Sequence, residues 1–403
     1  MFESVFKGIN IAEFTIFGLG PVTGKFFSHY GATVVRVESS LRPDPTRMWP
    51  PFAKDKPGLN RGTFWAHMNT SKRSVCLNLK HPKSASVTKR LIEWSDIIIE
   101  NFTPGVAERW GLSYEELKKI KPEIIMIRIS NLGHTGPHLT QRGTGSSLQG
   151  LAGFTNLTGW SDRDPAFPYG AISDQYPPPL AAASAVAALL YRRRTGEGQY
   201  IDLSQLECSI PFLGPHILDY VVNGRISGRM GNRSLCAAPH GAYRCKGDDR
   251  WCAIAVFTEE EWGNFCKALG NPPWTMEPRF REFRKRKENE DELDKLVEEW
   301  TLQKDAEEVM TQMQAAGVAA GVVENPKDML SDPQLIHRNH FPKVNHPEIG
   351  SYVARNDAFR FSRTQSYIKR APCLGEDNEI IYKGHLGISE EEYVNLILEG
   401  VLE

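Results

Sequence analysis

The sequence predicts an α/β fold whose N-terminal part forms a parallel, doubly wound sheet. Short runs rich in β-branched residues alternate with helical patterns between residues 9 and 130. Runs with so few polar positions are typical of parallel strands that are buried on both faces. The expected strands are "ATVVRVE", "SVCLNLK", "DIIIEN" and "EIIMIRIS", and the expected helices are "SASVTKRLIEWS" and "SYEELKKIKP". Ser113 is expected to cap the second helix, with Glu116 as its capping-box partner.

A second observation is the loop that opens this pattern, in "INIAEFTIFGLGPVTGKFFSHYGATVVRVES". An apolar run leads into Gly18, Gly20 and Gly24, and Glu38 ends the next strand, where an acid binds the ribose of a dinucleotide. Pro21 argues against a dinucleotide because it removes a backbone N–H from the loop that faces a pyrophosphate. On these residues alone, a dinucleotide site, a site for another ligand and a tight strand-to-helix turn all remain open.

The rest of the chain predicts a long helix and a second, smaller domain. Residues 180–194, "LAAASAVAALLYRRR", predict a helix whose small residues pack closely against another element and whose terminal arginines complement the helix dipole. From about 225 to 325, two short strands around a Gly-Asp-Asp turn and several helices predict an α+β domain. "HPEIGSYVARNDAFRFS" then predicts strands that return to the first domain, and "SEEEYVNLILEGVL" predicts a terminal amphipathic helix.

The composition excludes several classes of partner. Charged residues make up 24% of the chain and the net charge is −1, so no overall field attracts nucleic acid or anionic membranes. The apolar stretches are too short to span a bilayer, and the N-terminus lacks the pattern of a signal peptide, so we expect a cytoplasmic protein. The seven cysteines form no Cys-x-x-Cys pair, and His134 and His138 flank a Gly-Pro turn. We therefore expect reduced thiols, two exposed histidines and no metal site.

Five stretches together resemble the family III CoA-transferases, the group of formyl-CoA transferase and carnitine CoA-transferase. They are "EFTIFGLGP", "SKRSVCLNLK", "IIIENFTPGVAERWGLSYEEL", "ISNLGHTGP" and "YGAISD…AALLYRRRTGEGQYIDLSQLE". The resemblance also includes "GNRSLCAAPHGAYRCKGDDRW" and "RAPCLGEDNE", so it covers nearly the whole chain.

The resemblance implies a Rossmann-like large domain of residues 1–205 and 326–403, a linker over 206–224 and a small α+β domain over 225–325. It also implies an interlocked dimer with the active site at the subunit interface. Members of the family move CoA from an acyl-CoA to a carboxylic acid through an aspartate nucleophile, without a metal or a nicotinamide cofactor. The opening loop would then accommodate coenzyme A and not NAD.

The resemblance places the nucleophile at Asp174, in "GAISDQYPPP". A carboxylate can attack a thioester to give a mixed anhydride, which the released CoA thiolate converts to an aspartyl-CoA thioester. The residues alone predict an ordinary turn before a proline-rich helix start. We expect the positive end of that helix to favour the ionised carboxylate. Pro177–Pro179 stand where the family usually has a glycine, which leaves a silent site as an alternative.

The resemblance also implies which residues bind coenzyme A. Phe17 and Gly18 match positions beside the pantetheine end and the reacting thioester. Asn101 and Phe102 match backbone and ring contacts to the ligand. Arg109 matches a phosphate-binding arginine, whose fork of donors suits phosphate oxygens. The ordinary alternatives are core packing for Phe102 and a surface ion pair for Arg109.

Leu77 and Leu79 match the residues that form an apolar clamp around adenine in the family. The alternative for both leucines is packing in the core. Two positions depart from the family pattern. Some members have a glutamine at the position of Gly18, which closes over the aspartyl intermediate. Some have an arginine at the position of Ser39, which binds the nucleotide end.

Two further functions remain as alternatives to a CoA-transferase, and within the CoA-transferases the phrases favour one subgroup. An α-methylacyl-CoA racemase needs a histidine in the stretch that aligns with "RGTGSS", but Thr144 stands there and a threonine is no base near neutral pH. The chain could instead be a non-catalytic homologous subunit of a heteromeric CoA-transferase. The phrases "APHGAYRCKGDDRWCAIAV" and "RRRTGEGQYIDLSQLE" resemble most the subgroup for aromatic acids, including (R)-benzylsuccinate, with succinyl-CoA as donor.

Overall fold

A six-stranded parallel sheet organises the larger part of the chain in the computed structural model, which describes residues 4–403. The strands are β1 (Asn10–Phe14), β2 (Thr33–Glu38), β3 (Arg73–Cys76), β4 (Ile97–Glu100), β5 (Ile125–Ser130), β6 (Tyr200–Ser204), β7 (His240–Arg244), β8 (Trp251–Ala255), β9 (Ala319–Val322), β10 (Lys343–His346) and β11 (Gly350–Val353). The large sheet has the order β3-β2-β1-β4-β5-β6, which confirms the predicted fold class. Two small antiparallel sheets comprise β7-β8-β9 and β10-β11.

Helices of very different lengths connect these strands. They are α1 (Leu19–His29), α2 (Pro45–Met48), α3 (Thr63–Met68), α4 (Ser84–Trp94), α5 (Tyr114–Ile120), α6 (Gly145–Leu151), α7 (Phe154–Leu157), α8 (Pro177–Thr195), α9 (Gln205–Ser209), α10 (Gly214–Asn223), α11 (Glu259–Ala268), α12 (Phe283–Glu288), α13 (Glu290–Thr301), α14 (Ala306–Ala315), α15 (Pro326–Ser331), α16 (Pro333–His337) and α17 (Glu390–Leu398). Single 3-10 turns at Ala107–Trp110 and Ile172–Asp174 matter for the site.

The central strands β1, β4 and β5 are buried along almost their full length. Because successive side chains of a strand point to opposite faces, these strands contribute to a core on each side of the sheet. On β1, Ile11 belongs to a core that includes residues of α1 and α8. Its neighbour Ala12 belongs to a second core that includes residues of α4, α5 and α17. The predicted close packing of the long helix is confirmed, since Ala181, Ala185 and Ala188 lie fully buried along one face of α8.

The chain divides into two units. The larger comprises the described part of Met1–Thr155, together with Phe167–Ile226 and Gln334–Glu403. The smaller comprises Asn156–Ala166 and Ser227–Pro333. Its core joins β7 and β8 to α11, α13 and α14.

These bounds differ from the expected ones in two ways. The smaller unit includes a separate segment, Asn156–Ala166, which no sequence pattern assigned to it. The stretch 206–224, expected as a linker, contains most of α9 and all of α10, and it belongs to the larger unit. It is anchored there because Leu206 donates its backbone N–H to the carbonyl of Asn131 and the Cys208 side chain enters the core beside α8.

The expected returning strands are shorter than the sequence indicated. Within that stretch, His346 ends β10 and pairs with Gly350, the first residue of β11 (Gly350–Val353). Residues 354–361 have no regular structure. Within residues 4–403, no helix is both long enough and apolar enough to cross a membrane.

Candidate active site

The order of the large sheet reverses between β1 and β4, and ligands of such sheets bind outside the carboxyl ends of the strands at that point. Asn101, directly after β4, links the two loops there. Its Oδ1 accepts the N–H of Ile16 at 2.7 Å and its Nδ2 donates to the carbonyl of Ile16 at 2.8 Å. Phe17 and Gly18 follow Ile16, and Phe102 follows Asn101. Four of the expected CoA-binding residues therefore meet at this point.

The glycines of the opening loop allow α1 to approach the sheet closely. A β-carbon at Gly20 would lie 2.6 Å from Cβ of Thr15, so no larger residue fits there. Glu38, the position of a ribose-binding acid, is buried and receives two hydrogen bonds of 2.9 Å from Arg47. Because both of its oxygens are bound inside the protein, the loop loses the main feature that favoured a dinucleotide.

Phe17 adopts an unusual backbone conformation beside this point of the sheet. Its φ is +60°, in the left-handed region that costs free energy for a residue other than glycine. Its N–H donates to Asp44 at 3.1 Å, and its ring, 41% exposed, lies 5.3 Å from the ring of Trp49. Trp49 in turn contacts Phe64 edge-on. The strained residue thus belongs to an exposed aromatic surface at the expected pantetheine end.

Arg109 lies on the turn Ala107–Trp110 with its side chain exposed. Among residues 4–403, none forms a hydrogen bond or an ion pair with its guanidinium. The turn itself is anchored, because Arg128 on β5 donates to Glu108 at 2.6 Å and also pairs with the buried Glu100. A free guanidinium on an anchored turn is suited to binding an anion such as phosphate.

The two leucines of the expected adenine clamp differ in exposure. Leu77 is 1% exposed and belongs to the core beside α4, so its side chain does not reach the surface. Leu79 packs against the edge of that core and is only partly buried. In this conformation only Leu79 can contact an adenine directly.

The expectation of two exposed histidines is wrong for His134. Its side chain is 5% exposed, with Nδ1 at 3.1 Å from Asp202 and Nε2 at 3.5 Å from Glu100. The reason is tertiary: β4, β5 and β6 are neighbours, so acids on β4 and β6 reach the loop that follows β5. His138 is exposed.

Asp174 ends the 3-10 turn Ile172–Asp174, shortly before α8 begins. Gln149, buried on α6, holds the backbone of this turn. Its Oε1 accepts the N–H of Ile172 at 3.2 Å and its Nε2 donates to the carbonyl of Gly170 at 3.3 Å. The loop that carries the candidate nucleophile is therefore held by a neighbouring helix.

The carboxylate of Asp174 is partly buried between two residues that are distant in sequence. Nε2 of Gln205 donates to its Oδ1 and also, at 3.1 Å, to Oγ of Ser173. Gly145 lies against it on another side, where a β-carbon would be 2.7 Å from Cγ of Asp174. Burial raises the pKa of Asp174 to about 6, and the hydrogen bond from Gln205 opposes part of this rise. At neutral pH the group is an ionised but poorly solvated carboxylate, which suits a nucleophile.

The expected effect of α8 on Asp174 is wrong. A helix N-terminus favours a carboxylate through its free N–H groups and its dipole. Here the first three residues of α8 are Pro177–Pro179, and proline has no N–H. The helix start therefore supplies no hydrogen bond, and desolvation of Asp174 dominates, so its pKa is raised and not lowered.

The stretch "RGTGSS" leads into α6 and reaches the carboxylate through Gly145. At the start of this helix, Oγ of Ser147 accepts the backbone N–H of Thr144 at 2.9 Å and donates to the carbonyl of Thr144 at 3.0 Å. Arg142 is exposed and lines a small cavity of about 70 Å³ together with Gly143 and Ser147. A cation and a small cavity thus lie on the stretch that also carries Gly145, the residue against which Asp174 packs.

The sequence alone missed Gln205, Gly145 and Gln149. The signal for Gln205 was its place immediately after β6, at the carboxyl edge of the sheet, where polar residues serve ligands. In residues 4–403, no hydrogen bond links Asp174 to any of the expected CoA-binding residues. Two clusters therefore exist in the larger unit: one around Asp174 and one between the loops after β1 and β4.

The chain is similar to known proteins over almost its full length. The sequence model of "CoA-transferase family III" matches residues 6–378. The chain is 32% identical over 395 residues to succinyl-CoA–D-citramalate CoA-transferase of Chloroflexus aurantiacus, covering 98% of this chain and 97% of that protein. It is 29% identical over 392 residues to the alpha subunit of succinyl-CoA–L-malate CoA-transferase of the same species, covering 97% and 91%.

A solved structure shows the same fold. The crystal structure of a CaiB/BaiF family protein from Brucella suis superposes with a TM-score of 0.86 at 28% identity, covering 95% of this chain and 100% of that one. The family match across the chain, the similarity to CoA-transferases and the shared fold lead to one conclusion: the chain is an enzyme of CoA-transferase family III.

Proposed function

We propose that this enzyme transfers CoA from succinyl-CoA to a dicarboxylic acid, with Asp174 as the nucleophile. The observation that carries the proposal is the partly buried carboxylate of Asp174, bound by Gln205 and packed against Gly145. The names of two similar proteins contain succinyl-CoA as donor and a dicarboxylic acid, citramalate or malate, as acceptor. These names support the choice of substrates.

The first half of the reaction moves CoA onto the protein. An oxygen of Asp174 attacks the thioester carbon of succinyl-CoA, the C–S bond breaks, and a mixed anhydride and CoA thiolate form. The thiolate then attacks Cγ of Asp174, which releases succinate and leaves an aspartyl-CoA thioester. Water hydrolyses both the anhydride and the thioester, so the site must exclude it. The partial burial of Asp174 is consistent with such a site.

The second half reverses these steps with a different acid. The acceptor carboxylate attacks Cγ of the aspartyl thioester and expels CoA thiolate, which gives a second mixed anhydride. The thiolate attacks the acyl carbon of the acceptor, so that its acyl-CoA leaves and the Asp174 carboxylate is restored. The energy of the thioester is kept throughout, and no ATP is required.

Coenzyme A would bind across the two loops that Asn101 joins. Phe17, Gly18 and the segment after β4 border the pantetheine arm in this proposal, and the exposed aromatic ring of Phe17 supplies apolar surface. Arg109 binds a phosphate group, which its unpaired guanidinium supports. Leu79 contacts the adenine, while Leu77 holds this edge of the clamp from within the core.

Arg142 would bind the second carboxylate of the donor and of the acceptor. It lies three residues before Gly145, against which Asp174 packs, and it lines a small cavity together with Gly143 and Ser147. A guanidinium can bind a carboxylate through two parallel hydrogen bonds. We expect Arg142→Gln to raise KM for dicarboxylic acceptors and to leave KM for monocarboxylic acceptors unchanged.

An aromatic acceptor such as (R)-benzylsuccinate, itself a dicarboxylic acid, remains a prediction within this proposal. It is supported by stacked rings near the nucleophile: Tyr176 lies 3.8 Å from Phe212 between ring centroids. Stacking on such a pair is favourable for an aryl group. We expect Phe212→Leu to weaken turnover of aryl acceptors more than turnover of malate.

Two copies of the chain would form the working enzyme. Helix α10 supports this, because apolar side chains along it are exposed: Ile217, Leu218, Tyr220, Val221 and Val222. Apolar surface of this kind marks an interface. A homologous second chain is the alternative, since one similar protein is named as an alpha subunit.

The decisive experiment incubates the purified chain with succinyl-CoA and traps the thioester with borohydride or hydroxylamine before peptide mapping. We expect modification at Asp174 and none in Asp174→Asn, whereas the surface variant Asp164→Asn is modified normally. Acceptors for turnover include malate, citramalate, glutarate, (R)-benzylsuccinate and phenyllactate. The mechanism would be disproved by modification at another residue or by full turnover of Asp174→Asn. Racemisation of a 2-methylacyl-CoA in the absence of an acceptor acid would instead favour a racemase.

A further inference from the structure

The side-chain amide of Gln205 is held in one orientation. It is 1% exposed at the first residue of α9, and its Nε2 donates to both Ser173 and Asp174. The hydroxyl of Ser173 donates its hydrogen to the carbonyl of Gly145 at 2.9 Å. Oγ of Ser173 can therefore only accept from Gln205, so the amide nitrogen, and not the amide oxygen, faces the nucleophile.

The two oxygens of the Asp174 carboxylate have different surroundings. Oδ1 lies between Nε2 of Gln205 and the position that a β-carbon of residue 145 would occupy. No group within residues 4–403 donates a hydrogen bond to Oδ2. Oδ2 is thus the oxygen that is available to react, and Oδ1 is the one that the protein holds.

We propose that Gln205 is a catalytic residue, which directs Oδ2 of Asp174 to attack and stabilises the negative charge that forms on Oδ1. The inference rests on the proposed function. When the CoA thiolate adds to Cγ of the anhydride, a C–S bond forms and the carbonyl electron pair moves onto Oδ1. The pair returns as the bond between Cγ and the acyl-bearing oxygen breaks and succinate leaves.

Addition of the acceptor carboxylate to the aspartyl thioester also places negative charge on Oδ1, which must be stabilised. A C–O bond forms at Cγ, negative charge develops on Oδ1, and the charge is lost as the C–S bond breaks and the thiolate leaves. Neither addition needs a proton, an oxidant or a reductant. A donor already aimed at such an oxygen accelerates acyl transfer about 10²–10³-fold.

The same contact acts on the resting enzyme. Burial raises the pKa of Asp174, and the hydrogen bond from Gln205 lowers it in part. Loss of the donor would therefore leave less of the nucleophile ionised at a given pH, in addition to removing support for the charge on Oδ1.

The test uses Gln205→Met, which keeps the length of the side chain without a donor. The full-length protein is mixed with succinyl-CoA in the absence of acceptor, and aspartyl-CoA is measured against time by intact mass. We expect formation to slow about 100-fold and the acidic limb of kcat/KM to move to higher pH. The matched control is Gln149→Met, which loosens the same loop without touching the carboxylate and should leave that limb in place.

Ser173→Ala provides a second variant if Gln205→Met does not fold. It keeps the amide but removes one of the two groups that orient it, and we expect a smaller loss of rate. The inference is overturned if a folded Gln205→Met forms aspartyl-CoA at the wild-type rate and its acidic limb does not move. If Gln205→Met does not fold, the same result with Ser173→Ala overturns it. In that case labelling at Asp174 still supports the proposed function, whereas labelling elsewhere in the wild type removes both.

Discussion

Arg128 on β5 donates a hydrogen bond of 2.6 Å to Glu108 and thereby holds the turn that carries Arg109 against the sheet. The pair has a buried and an exposed member, since Arg128 is enclosed while Glu108 lies at the surface. This relationship allows the turn to be released without leaving a charge unpaired in the core, because Arg128 keeps its second partner, Glu100.

We predict that Glu108→Ala raises KM for succinyl-CoA while kcat stays near the wild-type value. Without the ion pair between Glu108 and Arg128, the turn holds Arg109 less firmly in the position that binds phosphate. A partly exposed ion pair contributes about 1 kcal/mol, which corresponds to roughly a five-fold loss of affinity for succinyl-CoA. Steady-state kinetics with varied succinyl-CoA measure the effect. Glu116→Ala is the control, since its partner Lys119 lies on the exposed surface of α5. An unchanged KM would show that the link does not position Arg109.

The pH profile should show an acidic limb with an apparent pKa of about 6, because burial raises the pKa of Asp174 to about 6. Below that pH the nucleophile binds a proton, and kcat/KM falls tenfold for each further pH unit. The phosphate of coenzyme A also titrates in this range, so the profile is repeated with the 3′-dephospho thioester. The acidic limb should persist with this substrate. If the limb disappears, it reports the phosphate of the substrate and not Asp174.

Asp174→Asn should stabilise the protein at pH 7.5 and have little effect near pH 4. The folded-state pKa of Asp174 is raised above its ordinary value of 3.8 to about 6. Between these values the folded state binds more protons than the unfolded state, so the free energy of unfolding falls as pH rises from about 4 to 6. The amide avoids this cost, which for a shift of about two pKa units is about 3 kcal/mol at neutral pH. Thermal unfolding at both pH values, with Asp164→Asn as control, checks the difference; an equal shift at both would contradict it.

Gly145→Ala should abolish most activity in a folded protein. The added methyl group would overlap the carboxylate of Asp174, with Cγ at 2.7 Å, so the carboxylate must leave Gln205. We expect kcat to fall at least about 100-fold, as for loss of one oxyanion donor. Gly263→Ala on α11, where nothing lies within 4 Å of the added carbon, should keep full activity. Wild-type kcat in Gly145→Ala would show that the close packing is dispensable.

Val221→Asp on α10 should dissociate the dimer that we propose. Val221 is 71% exposed on the apolar surface of this helix, and a carboxylate in a buried interface is strongly unfavourable. Sedimentation velocity measures the oligomer, and activity should fall with it. Met276→Asp, at an exposed apolar residue of the smaller unit, serves as control. A dimer that survives Val221→Asp would place the interface elsewhere.

Much of the fold could be predicted because it depends on local patterns. The β-branched runs form β2, β4 and β5, and the alanine-rich run forms α8 with its small residues buried. The cap at Ser113 is present, since its side chain accepts the N–H of Glu116. In each case the residues that decide the structure lie within a few positions of one another.

Expectations that depended on distant contacts were less accurate. His134 was expected to be exposed, but neighbouring strands bring acids to it. The start of α8 was expected to favour an ionised Asp174, but the prolines remove its donors and burial raises the pKa. Leu77, matched to a ligand contact, lies in the core.

The sequence by itself determined the order of strands and helices, the family resemblance and the candidate nucleophile, since motifs and periodicity are properties of the chain. Only the tertiary structure decided what surrounds that nucleophile. Gln205 and Gly145 are each about 30 residues from Asp174 and reach it because α6 and α9 pack around the turn before α8. Hydrogen bonds and burial between such distant residues arise from packing, which no local pattern encodes.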